Sequence, residues 1–200
     1  SSESGLELLY VAGDVESDNK FLMVPITGVI LNERPDDILS LLSTDVTYGY
    51  EIKDILERAA LDSSIKGVIL AIDSPGGTVT GSKAISDAVD NYRSLTSKPI
   101  VAHIMGMGAS GGYWAAASAD HIIADSGSLI GSIGVIFGPS NYYDKVTAES
   151  SGSEGISTEN GIETYYITSG EYKDFGNPYR LMSEEEMNIM QEDTDDVYNE

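Results

Sequence analysis

Short apolar runs alternate with segments of helical periodicity through the first half of the chain. The runs span Phe21 to Ile30, Gly67 to Ile72 and Pro99 to Ile104, and each predicts a buried strand, the second one covered on both faces. Between them, apolar residues recur at the spacing of one helix face: Ile52, Ile55, Leu56, Ala59 and Ala60, then Ile85, Ala88, Val89 and Tyr92. Strands that alternate with amphipathic helices form crossover units, so the pattern predicts an α/β fold with a largely parallel sheet.

The size of the chain favours one main domain. Two hundred residues, 41% of them hydrophobic, can bury one sizeable core. We expect an N-terminal extension over 1–20 and a single domain over 21–200, with truncation at either end left open. Ser150 to Gly161 is rich in Ser, Gly and Glu and predicts a mobile loop or insertion, whereas Ser183 to Glu186 resembles a capping box that starts a final helix.

The composition excludes several classes of function. Cysteine is absent, which removes thiol nucleophiles, zinc-thiolate sites and disulfide frameworks. Asp and Glu outnumber Lys and Arg by 33 to 11, and the resulting charge of −22 would repel nucleic acid. The apolar run from Phe21 to Ile30 is much shorter than the roughly 20 residues that a membrane-spanning helix needs. We therefore expect neither a signal peptide nor a membrane anchor within this chain.

A glycine-rich segment around Ser110 is the first candidate for chemistry. The segment Gly108-Ala109-Ser110-Gly111-Gly112 follows a predicted strand and precedes a run of helix-forming alanines, which places Ser110 at a strand-to-helix turn. There its hydroxyl lies near the positive end of a helix dipole, and the glycines allow a substrate backbone to approach. A helix N-cap in a glycine-rich turn explains the same residues equally well.

A second glycine-rich turn, Ser74-Pro75-Gly76-Gly77, ends the preceding strand. Ligands of open α/β sheets bind at the carboxyl ends of the strands, and backbone N–H groups in such a turn can stabilise an oxyanion. Alone, the tetrapeptide is a common turn sequence. Paired with the Ser110 turn one crossover later, it becomes a candidate oxyanion hole.

A serine nucleophile needs a base, and the chain contains only two histidines, His103 and His121. Neither has the sequence context of a catalytic triad, and we interpret both as structural. A lysine serves instead where burial lowers its pKa, and Lys173 lies just past an apolar strand predicted over Tyr165 to Ile167. Lys83, which follows the 74–77 turn, is a rival base, but its position on an amphipathic helix indicates a solvated face.

Four motifs taken together resemble the signal peptide peptidase A family, the serine–lysine peptidases of the ClpP/crotonase-like fold. They are Ser-Pro-Gly-Gly at 74–77, Gly-Ala-Ser-Gly-Gly-Tyr at 108–113, Gly-Ser-Ile-Gly-Val at 131–135 and Ser-Gly-Glu-Tyr-Lys-Asp at 169–174. Four motifs in the order of the family are much more specific than any one of them. The similarity runs from about Val24 to the end of the chain.

The resemblance implies roles for individual residues. Ser110 would be the nucleophile, Lys173 the general base, and Ser132 a hydrogen-bonding partner that orients the lysine. The amides of Gly77 and Gly111 would form the oxyanion hole. The spacing between Ser110 and Lys173 is longer than in short bacterial relatives, and the 150–161 segment would account for the excess.

The resemblance also implies partners and a location. No metal or organic cofactor would be needed. Substrates would be signal-peptide remnants or other membrane-derived or unfolded peptides, and the protein would assemble into a homo-oligomer of unknown order. The whole protein would be anchored in a membrane by a segment outside this chain, with an extracytoplasmic catalytic domain.

Three other functions stay open at this point. A phage prohead protease of the same superfamily would cut capsid scaffold. A crotonase-like acyl-CoA enzyme would use the same glycine turns to stabilise an enolate and would need no serine nucleophile. A non-catalytic scaffold is the least favoured, because a lapsed enzyme need not keep Ser110, Ser132 and Lys173 together.

Overall fold

The chain forms two compact units, Ser1–Ile133 and Gly134–Glu200. The computed structural model describes residues 9–35, 45–149 and 155–199. The single domain predicted over 21–200, with its extension over 1–20, stays a prediction, and each unit is described by itself.

The first unit is built on a parallel sheet, as the sequence predicts. Its strands are β1 (Lys20–Leu31), β2 (Val46–Tyr48), β3 (Ile65–Gly77), β4 (Ile100–Ala109), β5 (His121–Ala124) and β6 (Leu129–Gly131). The order across the sheet is β2-β1-β3-β4-β5, and β6 pairs with the carboxyl-terminal part of β4. Every strand pair in this sheet is parallel. The crossovers therefore bring the carboxyl ends of β3 and β4 to one edge of the sheet.

Among the described residues of this unit, three helices connect the strands: α1 (Gly49–Leu61), α2 (Val79–Thr96) and α3 (Gly111–Ala117). The two predicted apolar helix faces form part of the core, where the following residues are buried: Ile52, Leu56, Ala59, Ile85, Ala88, Val89 and Tyr92. Thr78 begins α2, because its hydroxyl accepts a hydrogen bond from the Gly81 amide, 3.2 Å away. This bond replaces one of the backbone contacts that a helix start lacks.

The predicted first strand is present as β1, but only one of its faces is buried. In β1, Val24, Ile26 and Ile30 are buried, but Phe21 and Met23 are 65% and 48% exposed. Successive side chains of a strand point to opposite faces, and the core of this unit forms on one side of β1. The central strand β3 is more continuously buried, as predicted, while all four residues of β5 are exposed.

The second unit contains a long hairpin and a helix. Strands β7 (Val135–Glu149) and β8 (Ile156–Ser169) pair antiparallel, and α4 spans Glu184–Asn199. The loop predicted over 150–161 is corrected in part: residues 156–161 belong to β8, because they pair with β7, and 150–154 lie outside the described residues. The predicted strand Tyr165 to Ile167 lies within β8.

The predicted capping box at the start of α4 is confirmed. The Glu186 amide donates to Ser183 Oγ at 3.1 Å, and the Ser183 amide donates to Glu186 Oε2 at 2.8 Å. This reciprocal pair satisfies two donors at the helix start. In the described part of the chain, no helix has both the length and the apolar character needed to cross a bilayer.

Candidate active site

Ser110 occupies a strained turn between β4 and α3. Its backbone has φ 51° and ψ −119°, a conformation that a residue with a side chain rarely adopts. Its side chain makes no capping hydrogen bond to α3, so the interpretation of Ser110 as an ordinary N-cap lacks support. Two backbone bonds hold the turn: the Ser110 amide donates to the Gly131 carbonyl, and its own carbonyl accepts from the Trp114 amide, both at 2.9 Å.

The turn at the end of β3 is braced by its own serine. Ser74 Oγ donates to the Gly28 carbonyl at 2.6 Å and accepts from the Gly76 amide at 3.1 Å. Ser74 is fully buried, so both bonds are shielded from water. Gly76 has φ +91°, which favours glycine because it has no Cβ. The sequence Ser-Pro-Gly-Gly thus has a structural reason for its serine and its first glycine.

The two glycine-rich turns pack directly against each other. A Cβ atom placed on Gly76 would lie 2.5 Å from the Gly111 nitrogen and 2.9 Å from the Ser110 Cβ. A Cβ placed on Gly111 would lie 3.3 Å from the Gly77 nitrogen. The amides of Gly77 and Gly111, predicted as oxyanion donors, therefore belong to adjoining backbone segments beside Ser110. Amides at the first turn of a helix lack intrahelical acceptors, which suits Gly111 to this role.

Ser82 contributes to this packing, although it was not among the residues predicted for the site. A Cβ placed on Gly111 would lie 2.0 Å from Ser82 Oγ, so the Ser82 side chain fills the space that a side chain at 111 would need. Ser82 is 1% exposed, and its Oγ has no hydrogen-bond partner among the described residues. Its only sequence signal was a small polar residue at a core-facing position of α2.

Ser132 lies beside the Ser110 turn. Ala109 pairs with Gly131 in the β4–β6 register, and the bond from the Ser110 amide to the Gly131 carbonyl continues that pairing. Ser132 follows directly and has φ 53°, a left-handed conformation. Ser110 and Ser132 thus lie at equivalent positions, each one residue past the end of its strand.

Both histidines lie far from Ser110. His103 is seven residues before Ser110 along β4, and a strand rises about 3.3 Å per residue, so the two are roughly 20 Å apart. His121 pairs with Val101 and is farther still. His103 Nε2 contacts Asp125 Oδ1 at 2.7 Å, a pair that fits the structural role we predicted for this histidine.

Lys83, the rival base, lies on a solvated helix face as expected. Its Nζ donates to Asp87 Oδ2 at 2.6 Å, one helix turn away, and its side chain is 57% exposed. This exposed ion pair on the surface of α2 is the solvated position that the sequence predicts for Lys83.

Lys173 belongs to the second unit, in the turn that follows β8. The residue is only 8% exposed, and burial lowers the pKa of its ammonium group below the ordinary value. Tyr172 before it has φ 57°, and the Phe175 amide closes the turn by donating to the Tyr172 carbonyl at 3.0 Å. A buried lysine with a lowered pKa has the properties that a lysine base requires.

Comparison with known proteins identifies the family. The family model "Peptidase family S49" matches residues 93–200, more than half of the chain. This chain belongs to peptidase family S49. A Clp protease model matches residues 36–125, which include the 74–77 turn and the Ser110 turn. The prediction of an α/β fold of the ClpP/crotonase-like type is confirmed.

Curated relatives agree with the S49 assignment. The chain is 35% identical to a "Putative protease MJ0651" of Methanocaldococcus jannaschii over 82% of this chain and 47% of that protein. It is 30% identical to a "Putative signal peptide peptidase SppA" of Enterococcus faecium over 88% of this chain and 47% of that protein. It is 31% identical to "Capsid assembly protease C" of Escherichia phage lambda over 86% of this chain and 36% of that protein. The chain thus spans about half or less of the length of these relatives.

An ion-pair network in the second unit of this S49 chain went unpredicted. Arg180 binds Asp174, the residue after Lys173, through Nε at 2.9 Å and Nη2 at 3.0 Å. It also donates through Nη1 to Glu186 Oε2 at 2.7 Å. Asp174 lies in the 169–174 motif and Glu186 in the capping box, but Arg180, the partner of both, lies between the two motifs and belongs to neither.

Proposed function

We propose that this chain is the catalytic part of a serine peptidase in which Ser110 is the nucleophile and Lys173 the general base. The observation that carries the proposal is the strained Ser110 turn, packed against the 74–77 turn so that Gly77 and Gly111 adjoin the serine. A strained strand-to-helix turn with amide donors beside it is the arrangement by which α/β hydrolases expose a nucleophile. Membership of family S49 supports the same reaction class.

In the proposed mechanism, neutral Lys173 takes the proton from Ser110 Oγ as that oxygen bonds to a peptide carbonyl carbon. The amides of Gly77 and Gly111 donate to the oxyanion that forms. The intermediate collapses, the C–N bond breaks, and the leaving amine receives the proton from Lys173. Lys173 then takes a proton from water as the water oxygen attacks the acyl carbon, and it returns this proton to Ser110 Oγ as the ester bond breaks.

Two features support a lysine over a histidine in this role. The chain's two histidines lie roughly 20 Å or more from Ser110. Burial lowers the pKa of Lys173, which raises the neutral fraction of its amine. Ser132, one residue past the strand that pairs with β4, is proposed to orient the lysine by a hydrogen bond to its amine.

The substrates we propose are signal-peptide remnants or other membrane-derived or unfolded peptides. The similarity to a protein named signal peptide peptidase supports this class. We further propose that the complete protein is a homo-oligomer with an extracytoplasmic catalytic domain, anchored by a segment outside this chain.

Cleavage of capsid scaffold is a second candidate. The similarity to a phage capsid assembly protease favours it, and the chemistry at Ser110 would be the same. Purified scaffold and signal-peptide substrates, offered in parallel to the same preparation, separate the two by their relative kcat/KM.

The test of the mechanism is intact-mass spectrometry after incubation with a fluorophosphonate, which labels activated serines. The chain should gain one adduct, and Ser110→Ala and Lys173→Ala should gain none. Lys83→Ala is the matched control, since it removes an exposed lysine in an ion pair and should label as the parent does. An adduct on Ser110→Ala, or full peptidase activity in Lys173→Ala, would rule the mechanism out.

A further inference from the structure

The residues on both sides of Lys173 are tied to the first turn of α4. On one side, the Tyr172 hydroxyl hydrogen-bonds Glu185, and this bond raises the pKa of Tyr172 to about 12. On the other side, Asp174 is held by Arg180, which also holds Glu186. Lys173 thus lies in a turn whose two flanking residues are each fastened to the same helix start.

Arg180 donates hydrogen bonds to both the carboxylate and the backbone carbonyl of Asp174. Its Nε and Nη2 donate to the two carboxylate oxygens at 2.9 and 3.0 Å, and Nη2 also reaches the Asp174 carbonyl at 3.4 Å. This planar two-pronged geometry is specific to guanidinium, because an ammonium group binds as a point charge. These hydrogen bonds therefore restrain the backbone immediately after Lys173.

The other end of the network is anchored in the capping box. Glu186 is 1% exposed and accepts from Arg180 and from the Ser183 amide. The hydrogen bonds from Arg180 lower the pKa of both carboxyl groups, Asp174 and Glu186, to about 2. All three side chains therefore stay charged at any pH at which a peptidase works.

We propose that Arg180 is a positioning residue, which holds the turn around Lys173 by joining Asp174 to the buried Glu186 at the start of α4. The proposal rests on the assignment of Lys173 as general base and adds the device that keeps this lysine buried. Without the ion pairs of Arg180 to Asp174 and Glu186, the turn relaxes and the Lys173 amine becomes more hydrated. The charged form of the lysine is then favoured, so its pKa rises. The base then becomes neutral only at a higher pH.

The test measures the pKa of Lys173 directly in the full chain. Acetic anhydride acetylates only neutral amines, so the pH dependence of labelling at Lys173, followed by peptide mass spectrometry, gives its pKa without any need for activity. In Arg180→Lys, which keeps the net charge, we expect this pKa to rise towards the ordinary value. The acid limb of the peptidase pH profile should move up with it.

Glu186→Gln provides a second variant if Arg180→Lys does not fold. The glutamine can still accept from the Ser183 amide, so the capping box survives in part. The direction in which the pKa of Lys173 changes in this variant is informative. Removal of a negative charge alone lowers the pKa of a nearby lysine. Loss of positioning raises that pKa instead.

Arg93→Lys is the matched control. Arg93 also binds a carboxylate, that of Asp120, and the Ser118 carbonyl, but it lies in the last turn of α2 within the first unit. This variant should lose stability and leave the pKa of Lys173 unchanged.

An unchanged pKa of Lys173 in folded Arg180→Lys and Glu186→Gln overturns the proposal. Failure of the proposed function gives a different result. In that case the pKa of Lys173 still rises in both variants, which supports the positioning role, while Lys173→Ala retains peptidase activity.

Discussion

Gly76 lies directly against Ser110, so that a Cβ atom placed on Gly76 would come within 2.9 Å of the Ser110 Cβ. The same atom would lie 2.5 Å from the Gly111 nitrogen, one of the proposed oxyanion donors. The first glycine of the Ser-Pro-Gly-Gly motif thus determines the shape of a turn on a different strand.

Gly76→Ala should slow fluorophosphonate labelling of Ser110 by about a hundredfold, because displacement of a reacting group by 1 Å is enough for such a loss. Labelling rates by intact-mass spectrometry measure the effect. Gly127→Ala is the control, since Gly127 has φ +77° but no atom within 4 Å of an added Cβ. It should lose only about 1–2 kcal/mol of stability and label normally. Equal labelling rates in the two variants would contradict this account of Gly76.

Substitutions at Ser82 should separate packing from hydrogen bonding. Ser82→Ala removes a buried hydroxyl that has no partner among the described residues, so the free energy of unfolding should change little. Ser82→Val adds bulk against Gly111 and should destabilise the fold by about 1–3 kcal/mol and slow the labelling of Ser110. Denaturant melts and labelling rates measure both effects. A large loss in Ser82→Ala would show that its hydroxyl has a bonding role.

The peptidase activity should rise with pH along a limb set by Lys173. The base must be neutral to accept a proton, and burial lowers its pKa, so the midpoint of this limb should lie below the ordinary value of 10.5. Measurements of kcat/KM across a pH series locate the midpoint. A midpoint at or above 10.5 would show that this lysine is not the group that titrates.

Lys173→Met should stabilise the folded chain at neutral pH. With the folded-state pKa lowered, the native state binds fewer protons than the unfolded state between that pKa and 10.5, so the stability of the parent rises with pH across this window. The gain from methionine is therefore complete below the folded-state pKa and vanishes as pH approaches 10.5. Thermal melts of parent and variant at several pH values test the sign. A gain that grows with pH would contradict it.

Periodicity predicted the elements of the first unit well. The faces marked by Ile52 and Leu56 and by Ile85 and Val89 are buried as expected, since the burial of an apolar stripe is what makes these helices stable. The Ser110 turn was predictable because glycines between a strand and a helix leave few alternatives. The exposure of Phe21 was not predictable, because an apolar run does not show whether one or both faces of its strand are covered.

The second unit was harder to predict from the sequence. Residues 156–161 carry the serine, glycine and glutamate of a loop, yet they pair with β7, because a strand's backbone bonds depend on its partner and not on its own composition. The placement of Ser132 beside Ser110 followed only from the β4–β6 register. Arg180 joins Asp174 to Glu186, each six residues away from it along the chain, and no pattern in the sequence marks these ion pairs.

The contact between the 74–77 turn and the Ser110 turn also determines when the strained conformation of Ser110 can form during folding. The two turns are separated along the chain by the whole of α2 and β4, so neither can shape the other until that crossover has closed. Contacts of this range form only after loop-closure entropy has been overcome. A newly synthesised chain therefore lacks the strained Ser110 turn, and the proposed nucleophile forms only in molecules whose first unit has folded.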